Sequence, residues 1–145
     1  MGKDMDADFN YYETFIQVAP DCPVSAAVVP VCKGANKSVP VLEYESLTAN
    51  PYFYTQADLI FAVYLERLAI PPGELESRRE ALWAEFFSKS HPCLRASSLP
   101  KRYGWGVHFD KDGKIAIYPM EGNEYRQLAG DTALQQLLAM RSKRA

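Results

Sequence analysis

The chain has 145 residues and a mass of 16.3 kDa, which fits one domain, and its 48% hydrophobic and 23% charged residues are typical of a globular core. Its ten prolines and eight glycines are scattered, which excludes a collagen-like or low-complexity chain. The formal net charge of −2 and the isoelectric point near 5.7 argue against a surface built throughout to neutralise phosphates.

Charge is distributed unevenly along the chain. Residues 1–84 hold six Lys or Arg against twelve Asp or Glu, whereas residues 85–145 hold ten against six. We therefore expect any anion-binding site in the C-terminal part. The sequence has no run of about 18 apolar residues and its acidic start does not resemble a secretory signal. We expect a cytoplasmic protein without a membrane partner.

The N-terminal part is predicted to contain an arm and two strands. Residues 1–12 are acidic and polar, which is typical of a flexible N-terminal arm, and residues 13–145 would form a single globular domain. Alternating β-branched residues predict a strand over residues 14–18. A second short strand is predicted over residues 27–31.

Two helices are predicted next. Ser38 is a suitable N-cap for a short helix that should end before Pro51. Thr55 and Asp58 resemble a capping box, with Asp in place of the usual Glu, and predict a helix that runs to about residue 69. Because this second helix is apolar nearly all round, we expect it at the centre of the fold.

The following segments predict a third helix and a hairpin. Residues 73–90 are amphipathic, so this helix should pack by one face. The alternating residues 105–109 and the returning strand 114–118 flank the turn sequence DKDG, a pattern typical of a β-hairpin. The N-terminal strand is expected to join the sheet of this hairpin.

The C-terminal part is predicted to be helical. Residues 124–128 predict one or two helical turns, and Asp131 is a suitable N-cap for a final helix carrying Leu134, Leu137 and Leu138 at helical spacing. Strands at both ends with helices between them favour an α+β domain, with one antiparallel sheet that contains the hairpin and is covered by helices.

The segment from His91 to His108 holds the densest cluster of basic, aromatic and reactive side chains. Guanidinium groups bind carboxylate or phosphate in a bidentate manner, and aromatic rings stack on planar groups. The cluster therefore predicts a binding module for a small anionic molecule. Its predicted ligand residues are Arg95, Lys101, Arg102, Tyr103, Trp105 and His108. A structural role for the same residues, with Arg95 paired to a carboxylate and Trp105 in the core, is the alternative.

Two further functions are compatible with the sequence. Cys93 is the best candidate for a nucleophilic thiol, with His108 as a possible base, although no local nucleophile signature accompanies it. The aromatic residues 52–54 could instead belong to a surface for protein interaction or to the core. The histidines and cysteines lack a compact zinc spacing, so we expect no metal and no cofactor. The acidic remainder of the chain argues against a nucleic-acid partner.

Four stretches of the chain resemble an uncharacterised family, domain of unknown function 6157. They are TFIQVAPDCPV at residues 14–24, NPYFYTQADLIFAVY at 50–64, PCLRASSLPKRYGWGVHFDKDGKIAIY at 92–118 and MRSKR at 140–144. The resemblance covers nearly the whole chain, and the acidic N-terminal arm is a part that such proteins need not share. It implies a small soluble protein without an assigned activity, and it supplies no catalytic residues.

Overall fold

The computed structural model of the protein describes residues 9–142. The strands are β1 (Thr14–Gln17), β2 (Trp105–Phe109), β3 (Ile115–Pro119) and β4 (Gln135–Leu138). The helices are α1 (Val39–Ala49), α2 (Gln56–Leu68), α3 (Pro72–Phe86), α4 (Ser98–Arg102) and α5 (Asn123–Ala129), with a 3₁₀ turn at Leu94–Ala96. The four strands form one sheet in the order β3-β2-β1-β4.

The sheet confirms the α+β prediction and the position of the N-terminal strand. Strands β2 and β3 form the predicted antiparallel hairpin, and β1 pairs antiparallel with β2, with Phe15 opposite His108. Strand β4 pairs in parallel with β1, with Phe15 opposite Gln136. The sheet is therefore mixed, since its β4 edge departs from the purely antiparallel arrangement expected from the sequence.

The prediction of a final helix after Asp131 is wrong, because this segment forms strand β4. The Asp131 carboxylate accepts the backbone N–H of Ala133 at 2.9 Å, which closes a turn instead of starting a helix. Beyond the turn, β4 completes the open side of β1, and the side chain of Gln17 donates to that of Gln136 at 2.9 Å. Pairing with a distant strand thus overrides the helical spacing of the leucines.

The strand predicted over residues 27–31 is also wrong, since this segment is an irregular loop. The N–H of Val28 donates to the carbonyl of Tyr103 at 2.8 Å, and the carbonyl of Val28 accepts the indole N–H of Trp105 at 2.9 Å. Its backbone groups are therefore bonded to the end of α4 and to a side chain, and none of the described strands pairs with it.

The predicted helix starts are confirmed to different degrees. Thr55 and Asp58 form the complete capping box at the start of α2. Ser38 occupies the N-cap position of α1 but its side chain makes no capping hydrogen bond, and α1 ends before Pro51 as predicted. Helix α3 is mainly exposed, and Leu82 is its one buried residue among those described.

The core is divided into two clusters of apolar residues. The sheet core lies between one face of the sheet and helices α1 and α2; its largest members include Ile16, Leu47, Leu59, Phe109 and Ile115. The helix cluster lies between α2 and α3; its buried members are Ala57, Phe61, Leu65, Leu82 and Phe87. Helix α5 covers the other face of the sheet, where the ring of Tyr125 packs edge-on against Phe15 at 5.1 Å. Helix α2 is thus shared by both clusters, which agrees with its predicted central position.

Residues 9–12 of the predicted arm are attached to the domain. Asn10 accepts the backbone N–H of Ala57 through its side-chain oxygen at 2.8 Å, and the carbonyl of Phe9 accepts from the Gln56 side chain. Residues 1–8 of the arm, and the basic residues Lys143 and Arg144, lie outside the described residues. Within residues 9–142 no helix combines the length and the apolarity needed to span a bilayer.

Candidate functional site

Strand β2 places two of the predicted ligand residues on opposite faces of the sheet. Trp105 and His108 differ by three positions, and side chains alternate between faces along a strand. The Trp105 ring packs against Tyr44 of α1, with ring centroids 5.3 Å apart. His108 makes its side-chain contacts on the other face, so one small ligand does not reach both rings.

His108 belongs to a cluster of three rings near the β3 edge. The hydroxyl of Tyr52 lies 2.8 Å from His108 Nδ1 and 2.7 Å from the hydroxyl of Tyr118. Burial lowers the pKa of His108, which favours the neutral imidazole. The Tyr52 hydroxyl is thus hydrogen-bonded both to Nδ1 of His108 and to the hydroxyl of Tyr118. The imidazole is therefore engaged by side chains of its own chain.

The basic side chains of the predicted site lie around α4 and β4. The Nε–H of Arg95 donates to the carbonyl of Leu138 at 2.9 Å, and the carbonyl of Arg95 accepts the N–H of Met140 at 2.8 Å. Arg95 thus bonds to the outer side of β4, and its partner is a carbonyl instead of the carboxylate that the structural alternative predicted. Lys101 is half-buried on α4 and Arg102 is exposed on it.

Tyr103 is the C-cap residue of α4, and its ring packs against the sheet core. Its backbone N–H donates to the carbonyl of Ser98 at 3.1 Å. None of the six predicted ligand residues lines the large groove described below; they are Arg95, Lys101, Arg102, Tyr103, Trp105 and His108. The structure distributes them over both faces of the sheet and over α4.

Cys93, the predicted nucleophile, lies on the opposite side of the sheet from His108. The Tyr11 hydroxyl donates to its sulfur at 3.3 Å, and the Tyr11 ring packs edge-on against Phe109 at 5.2 Å. Phe109 and His108 are neighbours on β2 and point to opposite faces. Burial, followed by the hydrogen bond to Cys93, raises the pKa of Tyr11 to about 12. The structure therefore does not bring the thiol and this imidazole together.

A groove of about 570 Å³ opens between α1, α2, the end of α3 and residues 91–98. Its apolar lining consists of Val39, Pro40, Ile60, Val63, Tyr64, Leu68, Phe86, Pro92, Leu94 and Ala96. Its polar lining consists of Glu43, Arg67, His91, Cys93, Ser97 and Ser98. Four of these six polar residues come from the segment that the sequence singles out, because His91, Cys93, Ser97 and Ser98 lie within it.

Glu43 is the buried polar residue of this groove that the sequence analysis missed. Its side chain belongs to α1, is only 5% exposed, and accepts the hydroxyl proton of Ser97 at Oε1 over 2.7 Å. Burial raises the pKa of Glu43 to about 7, and the Ser97 hydrogen bond opposes this rise. A signal was available in the sequence, because Val39, Glu43 and Leu47 follow one another at four-residue intervals on one helix stripe.

Ser97 and His91 are fixed by hydrogen bonds at their places in the groove wall. The Ser97 oxygen accepts the N–H of Leu99, as the N-cap of α4, at 3.1 Å while its proton is directed to Glu43. His91 Nε2 donates to the carbonyl of Phe86 at 2.6 Å, and the two rings stack at 3.8 Å. The Ser97 hydroxyl and His91 Nε2 thus both donate their protons within the chain, whereas the Glu43 carboxyl can accept a further hydrogen bond.

A second cavity of about 570 Å³ lies between α2, α3 and the aromatic segment before α2. Its walls include Phe61 and Trp83, and its charged members lie nearer the surface. Among them, Asp58 is engaged in the capping box and the Arg79 guanidinium lies 5.9 Å above the Phe61 ring. The groove differs from this cavity because it contains a buried ionisable group, Glu43. Perturbed, buried carboxyls in a concave site are typical of functional sites.

Within residues 9–142 no group of three or more His, Cys, Asp or Glu is placed to hold a metal ion. Residues 6–145 match the model of a family described as a family of unknown function, DUF6157. No curated protein and no solved structure matches the chain.

Proposed function

The chain belongs to the family of unknown function DUF6157, and from that premise we propose that it binds a small molecule in the groove between α1, α2 and residues 91–98. The observation that carries the proposal is the buried carboxyl of Glu43 in a mainly apolar wall. Sites for small molecules typically have volumes of roughly 300–1,000 Å³ and a few convergent polar groups among apolar ones. The groove meets both conditions.

The composition of the lining supports a ligand with an apolar body. Side chains such as Val39, Ile60 and Leu68 offer hydrocarbon surface, and burying apolar surface contributes about 25 cal/mol per Å². An aromatic or aliphatic body would pack against these side chains. The polar groups at Glu43 and Ser97 would then select its orientation.

The prediction of an anionic ligand at the 93–108 cluster stays a prediction. The geometry favours the groove over that cluster, because Arg95 donates to a main-chain carbonyl and Trp105 and His108 face opposite sides of the sheet. A protein-interaction role also stays a prediction; its main support is Phe53, which is 61% exposed.

A thiol-dependent enzyme that pairs Cys93 with His108 is less well supported than binding, because the sheet separates the two side chains. Cys32 is exposed, whereas Cys22 and Cys93 are half-buried. We expect iodoacetamide at pH 7 to alkylate Cys32 first, as followed by peptide mass spectrometry. Preferential alkylation of Cys93 would favour the enzyme instead.

Titration with hexanol, a neutral probe with a six-carbon body, tests the proposed function. In ¹H–¹⁵N spectra we expect hexanol to shift the amide signals of groove residues such as Leu94 and Ser98. The substitution Ala96→Leu narrows the groove from its half-buried wall and should weaken binding about tenfold or more, since overpacked sites exclude a ligand body.

Ala84→Leu is the matched control, because Ala84 is exposed on α3 and does not line the groove. It should leave the affinity for hexanol unchanged. Hexanol that fails to shift groove signals, or that binds Ala96→Leu as tightly as the unmodified chain, would contradict the proposed function.

A further inference from the structure

The groove presents an acceptor without a charged partner, and this feature points to a class of ligand. We infer that the ligand carries a cationic nitrogen with N–H donors, such as a primary amine or an amidine, and that this group pairs with the carboxylate of Glu43. The inference rests on the proposed function, since it concerns the same groove.

Glu43 has no charged partner among the described residues. A buried carboxylate is costly unless an opposite charge and hydrogen bonds compensate its lost hydration. The ion pairs formed within residues 9–142 involve other carboxylates, namely Glu45 with Lys37, Glu74 with Arg78 and Asp112 with Lys111. The hydroxyl of Ser97 is a neutral donor. A ligand cation would therefore supply the charge that the chain itself does not place there.

The titratable groups that share the groove with Glu43 do not replace such a cation. Helix α2 contributes Tyr64 and Arg67, and residues 91–98 contribute His91 and Cys93. Arg67 is exposed, and the hydrogen bond from His91 goes to a main-chain carbonyl. On α1, the helix that carries Glu43, the neighbouring Glu45 is exposed and pairs with Lys37.

The hydrogen bonds of Ser97 favour a donating ligand over an accepting one. Its single proton is directed to Glu43 Oε1, and its oxygen accepts the N–H of Leu99. Ser97 thus has no proton left for an anion, whereas the second carboxyl oxygen of Glu43 makes no hydrogen bond within the described residues. An ammonium group can donate to that oxygen, and the charged hydrogen bond it forms is stronger than a neutral one.

The pairing makes binding dependent on pH. Because burial raises the pKa of Glu43 to about 7, most Glu43 carboxyls are protonated at pH 6 in the empty groove. An ammonium ligand favours the ionised form, so its binding at pH 6 should release a proton to the buffer. Alkylammonium groups stay protonated up to about pH 10. The affinity should therefore rise from pH 6 to pH 8.

Three probes with the same six-carbon body test the charge of the ligand, namely hexylammonium, hexanol and hexanoate at pH 8. We expect hexylammonium to bind about tenfold or more tightly than hexanol, a difference of about 1.4 kcal/mol, and hexanoate to bind most weakly. Glu43→Gln should remove the preference for hexylammonium while retaining hexanol. Glu45→Gln, on the exposed side of the same helix, should retain the preference.

Calorimetry on the unmodified chain provides a measurement that does not depend on a variant. At pH 6 the heat of hexylammonium binding should change with the ionisation enthalpy of the buffer, which reports the released proton. Equal affinities for hexanol and hexylammonium, or no proton release, would overturn the inference and leave the proposed function standing. If none of the three probes shifts the groove signals, the proposed function falls as well.

Discussion

A carboxyl group buried beside a neutral hydroxyl holds its proton more tightly in the folded chain than in the unfolded chain. For Glu43, burial raises the pKa from 4.5 to about 7. Between these values the folded chain binds more protons than the unfolded chain, so the free energy of unfolding falls as the pH rises from 4.5 to about 7. The loss is complete by about pH 8 and is on the order of 3 kcal/mol. Glu43→Gln should remove this loss in urea unfolding at pH 5 and pH 8.

Glu45→Gln is the control for this prediction, because Glu45 is exposed on the same helix. The lowered pKa of His108 acts in the opposite sense, since it makes stability rise with pH as the unfolded imidazole loses its proton. The comparison of the two Gln variants cancels that contribution. Identical pH dependence in both variants would show that Glu43 ionises normally.

Gly106 allows two aromatic rings to approach the strand closely. A Cβ at this position would lie 2.6 Å from Phe15 Cζ and 2.6 Å from Tyr125 Cε2. Because the Phe15 ring is fully buried and packs against Tyr125, neither ring can give way without loss of contact. We expect Gly106→Ala to lower the free energy of unfolding by about 1–3 kcal/mol, measured by urea denaturation.

Gly34→Ala is the matched control, because among residues 9–142 no atom beyond its chain neighbours lies within 4 Å of the added Cβ. It should change the free energy of unfolding by less than about 0.5 kcal/mol. Equal effects of the two substitutions would mean that the packing over Gly106 is looser than the structure describes.

The residues of the candidate site illustrate what sequence reasoning can reach. The sequence alone singles out Cys93 and His91, because they lie in one dense local segment of reactive side chains. Glu43 lies about 50 residues earlier and meets Ser97 only through the packing of α1 against the turn before α4. Its four-residue spacing from Leu47 indicates a buried stripe, but a Glu on a helix is normally solvated. The burial of Glu43 depends on its tertiary contact with Ser97, which the sequence does not indicate.

At the scale of elements, a capping box stabilises the start of helix α2, whereas α1 has no side-chain cap. Thr55 accepts the N–H of Asp58 at 3.1 Å, and Asp58 accepts the N–H of Thr55 at 3.3 Å. Thr55→Ala removes the first bond and should lower the free energy of unfolding by about 1 kcal/mol. Ser38→Ala is the control, since the Ser38 side chain makes no capping bond. Thermal unfolding that responds equally to both changes would contradict this difference.

The success of element prediction follows the range of the interaction that forms each element. The capping box acts within four residues, and the hairpin turn closes because the Asp110 carboxylate accepts the backbone N–H groups of Asp112 and Lys114. The start of α2 and the hairpin could therefore be predicted from the sequence. Strand β4 is formed by pairing with β1, about 120 residues away, and its short sequence QQLL has no strong preference of its own. The pairing of β4 with β1 could therefore not be predicted from the sequence.

At the scale of the whole molecule, the two apolar clusters differ in how they are enclosed. The sheet core is covered by the sheet on one side and by α1 and α2 on the other, and several of its members are fully buried. The helix cluster is covered on its outer side by α3, which contributes Leu82 as its buried residue. The free energy of local opening follows the apolar contacts that opening breaks. Helix α3 should therefore open without unfolding the sheet.

Hydrogen exchange measured by mass spectrometry tests this separation. We expect amides of α3 to exchange faster than those of α2, although both helices are regular and of similar length. Leu82→Ala should accelerate exchange in α3 and leave β1 and β2 nearly unchanged, because the residue belongs to the helix cluster alone. Leu59→Ala, in the sheet core, should instead lower protection throughout, with a loss of about 2–5 kcal/mol. Uniform acceleration by both variants would mean that α3 and the sheet unfold as one cooperative unit, and that the groove wall formed by the end of α3 is as stable as the sheet itself.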